Sequence, residues 1–190
     1  AGVEIVSSGG TAVALTVAGI EVNTVAEVTG APEMLGGRVK TLHPSIHGAI
    51  LARTDDESDL ADLEANGIEP FQLVVVSLYP FRETLATPGA SESEIIEKID
   101  IGGPTMIRAA AKNHRYVGVV TAAGQYDRVA EAVEAGGPDD DLRRALAAEA
   151  FFHTASYDAA IVGWIGQDRV LPLRHFDELR YGENPHQPGS

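Results

Sequence analysis

The chain has 190 residues, 44% of them hydrophobic, with 14 basic and 28 acidic side chains and a formal net charge of −14. That length suits one domain of ordinary size with a tail, and the acidity argues against a nucleic-acid surface, which needs clustered Lys and Arg to release counterions. The lack of cysteine excludes disulfides, thiolate chemistry and cysteine zinc sites.

No apolar run approaches the ~20 residues of a membrane span, and Ala1-Gly2-Val3-Glu4 shows no signal peptide. A cytoplasmic protein without membrane or nucleic-acid partners is therefore expected. The start lacks Met and opens almost inside an apolar run, so further sequence is expected upstream. The acidic runs Asp55-Asp56-Glu57 and Asp139-Asp140-Asp141 read as solvated helix faces and caps.

Residues 3–6 read as a short buried strand, Ser7-Ser8-Gly9-Gly10-Thr11 as a turn, and residues 12–18 as a helix stopped by Gly19. A second strand is predicted over 20–25 and a helix over 59–65, closed by Asn66-Gly67. The run Leu73-Val74-Val75-Val76 is uniformly apolar, as a strand covered on both faces should be. Ser91 and Glu94 form a capping box for a helix ending near Ile99, and Pro104 opens a helix towards Lys112. A buried strand follows at 117–120, then helices over 126–135 and most of 140–164. The tail from Asp168, with Pro172, Pro185 and Pro188, changes character. Strands alternating with helices imply an α/β fold with a parallel sheet. Its ligands sit beyond the carboxyl ends of the strands.

Ser8-Gly9-Gly10-Thr11 follows a strand and opens a helix, so its amides and hydroxyls can hold an anion at the positive end of the helix dipole. A plain βα turn capped by Thr11 would look the same. The stretch is neither GxGxxG nor a Walker A loop, which speaks against a dinucleotide-binding domain. Gly36-Gly37-Arg38-Val39-Lys40-Thr41-Leu42-His43-Pro44 sets two cations and a hydroxyl on a backbone that can approach a ligand closely. His43 reads as a turn cap rather than a base, and His47 similarly; zinc is not expected. Tyr79 stands at the strand rim, where a wet hydroxyl is the commoner role. Asp100-Ile101-Gly102-Gly103 puts an acid and free amides before a helix start, fit either for a developing oxyanion or for simple N-capping. Lys112, after three alanines, reads either as a crevice lysine or as a solvated C-terminal cation.

Taken in order, five stretches resemble the IMP cyclohydrolase domain of the bifunctional purine biosynthesis family, which also carries phosphoribosylaminoimidazolecarboxamide formyltransferase activity. They are residues 8–12, 32–44, 78–81, 99–103 and 108–114. The resemblance runs from Val3 to about Gly166. Leu179-Arg180-Tyr181-Gly182-Glu183-Asn184-Pro185-His186-Gln187 resembles the opening of the formyltransferase domain. The resemblance implies a cyclohydrolase domain over 1–167 lacking its first strand and phosphate loop, then a linker and formyltransferase start over 168–190. It implies a methylglyoxal-synthase-like (Rossmann-like) parallel sheet with helices on both faces, and a homodimer. It implies dehydrative ring closure of a formamido-imidazole carboxamide ribonucleotide to IMP without metal or cofactor. 10-Formyltetrahydrofolate would belong to the formyltransferase step. Lys40, Tyr79, Asp100 and Lys112 would be catalytic. Ser8, Gly10, Thr11, Arg38, Thr41, Ser77, Ile101 and Gly102 would bind substrate. The family usually has Asn where Ser77 stands and often Lys where Val13 stands. A non-catalytic regulatory module of the same fold, or an inactive fragment, is the competing reading.

Overall fold

A computed structural model describes residues 2–174. The stretch 179–187, expected to open a second domain, lies outside them. In chain order the elements are β1 (Val6–Ser7), α1 (Gly9–Val17), β2 (Asn23–Thr24), α2 (Val25–Thr29), α3 (Pro44–Leu51), α4 (Glu57–Ala65), β3 (Leu73–Val75), α5 (Phe81–Leu85), α6 (Glu92–Ile96), α7 (Gly102–Lys112), β4 (Gly118–Val120), α8 (Tyr126–Glu134) and α9 (Asp140–Ile165). Contacts divide the chain into two units, Ala1–Thr154 and Ala155–Ser190. In the second, Tyr157 and Ala159 are buried and Arg169 donates to the Gly163 carbonyl.

In the first unit every strand pair is parallel, as the βα alternation predicts. β1 pairs with β2 across α1, and β3 pairs with β4 across α5 to α7. The expected single sheet is instead two separate two-stranded ladders, with no strand joining them among the described residues. Both strands of the first pair are also shorter than predicted. Val3 and Glu4 stay outside the strand and Ile5 contributes only its carbonyl, which accepts from the Asn23 amide, while Val25, expected to end a strand, begins α2. The cause is local: the Thr24 hydroxyl accepts from the Glu27 amide while the Glu27 carboxylate accepts from the Thr24 amide, a capping box. Val75 is 53% exposed while Val74 is buried. Successive strand side chains face opposite ways, so β3 is covered on one face and not on both.

The caps explain the other helix starts. Asp56 accepts from the Ser58 and Asp59 amides, Ser91 and Glu94 form the expected box, and the His43 ring accepts from the Ser45 amide ahead of Pro44. His43 is thus a cap, as expected.

The core is built by Ile46 and Ile50 of α3, Val74, Ile107, Ala110 and Ala111 of α7, Val117, Val119, Val120, Val129 and Leu146. Each large aliphatic among them contributes about 1.5–3 kcal/mol by leaving water. Asn113, buried just past α7, donates from Nδ2 to the carbonyls of Ile50 (2.8 Å) and Ala52 (2.9 Å). It clips the end of α7 to the end of α3. Asn113→Leu would bury two carbonyls without donors, at a cost of about 2–3 kcal/mol. Urea denaturation should show the midpoint falling with the slope unchanged.

Two half-buried histidines add a pH dependence. Burial pushes His47 and His153 below the ordinary value, and one ring nitrogen of each has no partner among the described residues. The unfolded chain therefore takes up protons first. Stability should be full above about pH 6.5 and decline as pH falls below it. Thermal melts from pH 8 to pH 5 check this, with His153→Gln flattening part of the decline.

Candidate functional site

Ser8 enters α1 in extended conformation, and its hydroxyl makes no cap bond. Gly9 follows at φ +58, a turn that glycine takes without strain. The first amides of α1 have no intrahelical acceptor and stand at the positive end of the helix dipole. Thr11 lies inside the helix and is exposed, so it is not the cap.

Leu35, Gly36 and Gly37 form a tight turn with φ of 51, 63 and 86. Three successive left-handed residues reverse the chain, and Leu35 is the only non-glycine among the described residues to hold such a φ. That costs backbone energy of the kind stored at ligand sites. The turn sends Lys40 inward. Its side chain is 26% exposed, and its Nζ lies 3.0 Å from Glu33 Oε1. The same Nζ is 3.9 Å from where a Cβ on Gly9 would stand. The amine therefore borders the entrance of α1.

The next residue reaches the other way. Thr41 Oγ1 lies 2.7 Å from where a Cβ on Gly102 would stand, so only glycine fits there without a shift. Asp100 ties this second half together. Its Oδ1 accepts from the Gly103 amide at 2.8 Å, and its Oδ2 lies 3.4 Å from the Tyr79 amide. Asp100 thus satisfies one of the free amides of α7, the capping role expected for it, while holding the loop after β3 against the start of α7. Leu78 packs there as well, 2.7 Å from a hypothetical Cβ on the buried Gly103.

Lys40 and Thr41 therefore join the α1 entrance to the Tyr79–Asp100–Gly102 corner. The other predicted residues are less engaged. Tyr79 is 56% exposed, Ile101 is 59% exposed, and Ser77 is exposed. Arg38 is exposed and paired with Glu97, just past α6. Lys112 is exposed at the other end of the 11-residue α7, about 15 Å along its axis from Gly102. Its side chain has no hydrogen bond or ion pair among the described residues; the crevice reading gives way to the solvated one. Glu33 and Glu97, which touch two predicted cations, were not singled out in the sequence. Glu33 sits in the quoted 32–44 stretch, but only the folded turn brings it back onto Lys40. His47, also outside the predicted set, places its ring against the Thr41 backbone.

The family model for the MGS-like domain matches residues 1–105, more than half of the chain. The chain belongs to the MGS-like domain family. Its residues 110–190 match the model for the AICARFT/IMPCHase bienzyme. The "Bifunctional purine biosynthesis protein PurH" of Synechococcus sp. (strain CC9311) is 54% identical over 98% of this chain and 39% of its own length. Its counterpart in Prochlorococcus marinus (strain MIT 9313) is 55% identical over 98% of this chain and 37% of its own. The chain thus spans less than two-fifths of the length of these curated relatives. A solved structure, "Crystal structure of ForH", is 39% identical, with a TM-score of 0.75, covering 85% of this chain and 83% of that one.

This rim brings polar groups from several elements together. It sets the helix-start amides of α1 beside an ammonium, with a hydroxyl and a carboxylate at the adjoining corner. Among the described residues, no helix is long and apolar enough to cross a membrane.

Proposed function

We propose that this rim closes the six-membered ring of IMP on a formamido-imidazole carboxamide ribonucleotide. The observation that carries the reading is the Lys40-Thr41 pair bridging the α1 entrance and the Asp100–Gly103 corner. The match to the bienzyme family model and the names of the relatives support it.

The substrate phosphate rests on the amides and hydroxyls of Ser8, Gly10 and Thr11, with Arg38 released from Glu97 to join it. The carboxamide nitrogen then attacks the formyl carbon. A C–N bond forms, the formyl oxygen takes the carbonyl electrons, and the nitrogen gives up a proton. Lys40 and the Gly102 amide stabilise that oxyanion, with Thr41 beside it. Protonation turns the oxygen into a leaving hydroxyl, and loss of water with a second nitrogen proton completes the ring. Asp100 and Tyr79 exchange these protons. Holding the two groups together can account for about 7 kcal/mol or more of the barrier. For Lys112 the support is the resemblance alone. Ile101 and Ser77 border the corner where the base would lie.

By the same reading the protein is a cytoplasmic homodimer, and residues 168–190 lead into a formyltransferase domain. Light scattering during gel filtration tests the dimer.

The deciding experiment follows absorbance during IMP formation from the formylated ribonucleotide, with this chain and with one extended upstream. Turnover that saturates with substrate supports the proposal. Nucleotide binding without turnover in either protein would support a regulatory module and defeat it.

A further inference from the structure

We infer that Glu33 is a positioning residue for Lys40, setting where its ammonium stands at the α1 entrance. The inference rests on the ring-closure reading of the site and goes beyond it, because Glu33 would touch no substrate.

Glu33 Oε1 and Lys40 Nζ are 3.0 Å apart, the distance of a charge-assisted hydrogen bond. Exposed ion pairs usually count for little, and Glu33 is 56% exposed. This pair differs in how the backbone accommodates it. It lies directly over Gly37, where a Cβ would fall 2.3 Å from Lys40 Cε, 2.9 Å from Lys40 Nζ and 2.8 Å from Glu33 Oε1. Any side chain at 37 would collide with both partners. Gly37 also sits at φ +86, and Leu35 at φ 51. The chain thus adopts a strained turn between Glu33 and Lys40, and the space it leaves is filled by their ion pair.

The consequence is directional. A lysine side chain has four rotatable bonds and about 2 kcal/mol of rotamer entropy. One anchor removes much of that freedom. The remaining two ammonium hydrogens are then free to face the α1 entrance, where Nζ stands 3.9 Å from the Gly9 Cβ position. The carboxylate also offsets one unit of positive charge, so the site does not hold its anionic ligand by lysine charge alone. Glu33 therefore acts on the reacting geometry more than on ground-state affinity.

The test compares wild type, Glu33→Gln, Glu33→Asp and Glu33→Ala in the IMP-formation assay. Expected is a fall in kcat of about tenfold for Glu33→Gln and Glu33→Ala, with KM changed less than twofold. Glu33→Asp should recover part of the loss, since a carboxylate one methylene shorter still reaches. An unchanged kcat would overturn the inference. So would a lower KM with constant kcat, which would make Glu33 a mere competitor for the substrate phosphate. A second readout needs no turnover: the rate at which an amine-reactive ester labels Lys40, mapped by mass spectrometry. Glu33→Gln should change that rate at Lys40 at least threefold and leave Lys98 unaltered. If wild type shows no ring closure, the functional reading fails while the labelling arm still decides the role of Glu33. Equal labelling of Lys40 in both proteins overturns it there.

Discussion

Lys40→Ala should lower kcat for ring closure by about 10²–10³-fold, the usual cost of removing one preorganised oxyanion donor. KM should rise only a few-fold, because the helix-start amides still hold the phosphate. Lys40 is placed for this by the turn at residues 35–37 and by its position at the α1 entrance. Lys40→Arg should rescue poorly, because a broad planar guanidinium does not reproduce the compact ammonium that pairs with Glu33. Stability should hardly change, since the side chain is partly exposed and contributes nothing to the core. Steady-state kinetics beside urea denaturation separate the two effects.

Gly103→Ala should be the most damaging substitution of a single methyl. The added Cβ would lie 2.6 Å from Asp100 Oδ2 and 2.7 Å from Leu78 Cδ2. Both neighbours must shift, and with them the Asp100 contacts to the Gly103 and Tyr79 amides. A displacement near 1 Å in a catalytic group costs on the order of 10²-fold in rate. Overpacking should also cost about 1–3 kcal/mol of stability. Gly124→Ala serves as control, because a Cβ there meets nothing within 4 Å. Rate and unfolding midpoint should both fall for the first variant and neither for the second.

What could be read from the sequence follows from how local each signal is. The capping box at Ser91, the Asn66-Gly67 stop and the long helix at 140–165 rest on neighbours a few residues apart, and they stand as read. The Thr24-x-x-Glu27 box is just as local, and the apolar run across 20–25 masked it. The exposed face of Val75 was hidden because a uniform apolar run does not say which side is covered.

The site divides the same way. Gly36 to Thr41 and Asp100 to Gly103 were legible as unusual clusters of charge and glycine. That they share one rim was expected, but the contacts that join them were not legible, since the Thr41–Gly102 approach and the Tyr79–Asp100 contact link residues far apart in the chain. The partners of Arg38 and Lys40 were missed for that reason too: Glu97 is distant in sequence, and Glu33 needs three left-handed residues to reach Lys40. Val13 and Ser77, where the family often has Lys and Asn, are both exposed. Neither therefore disturbs the packing around the rim.

The most direct measurement is a crystal structure of this chain with IMP bound. The account predicts the phosphate on the amides at the start of α1. It places the purine oxygen-bearing edge within about 3 Å of Lys40 Nζ or the Gly102 amide, with Asp100 at the same corner. A nucleotide bound elsewhere, or one whose base points away from Lys40 and Gly102, would contradict it.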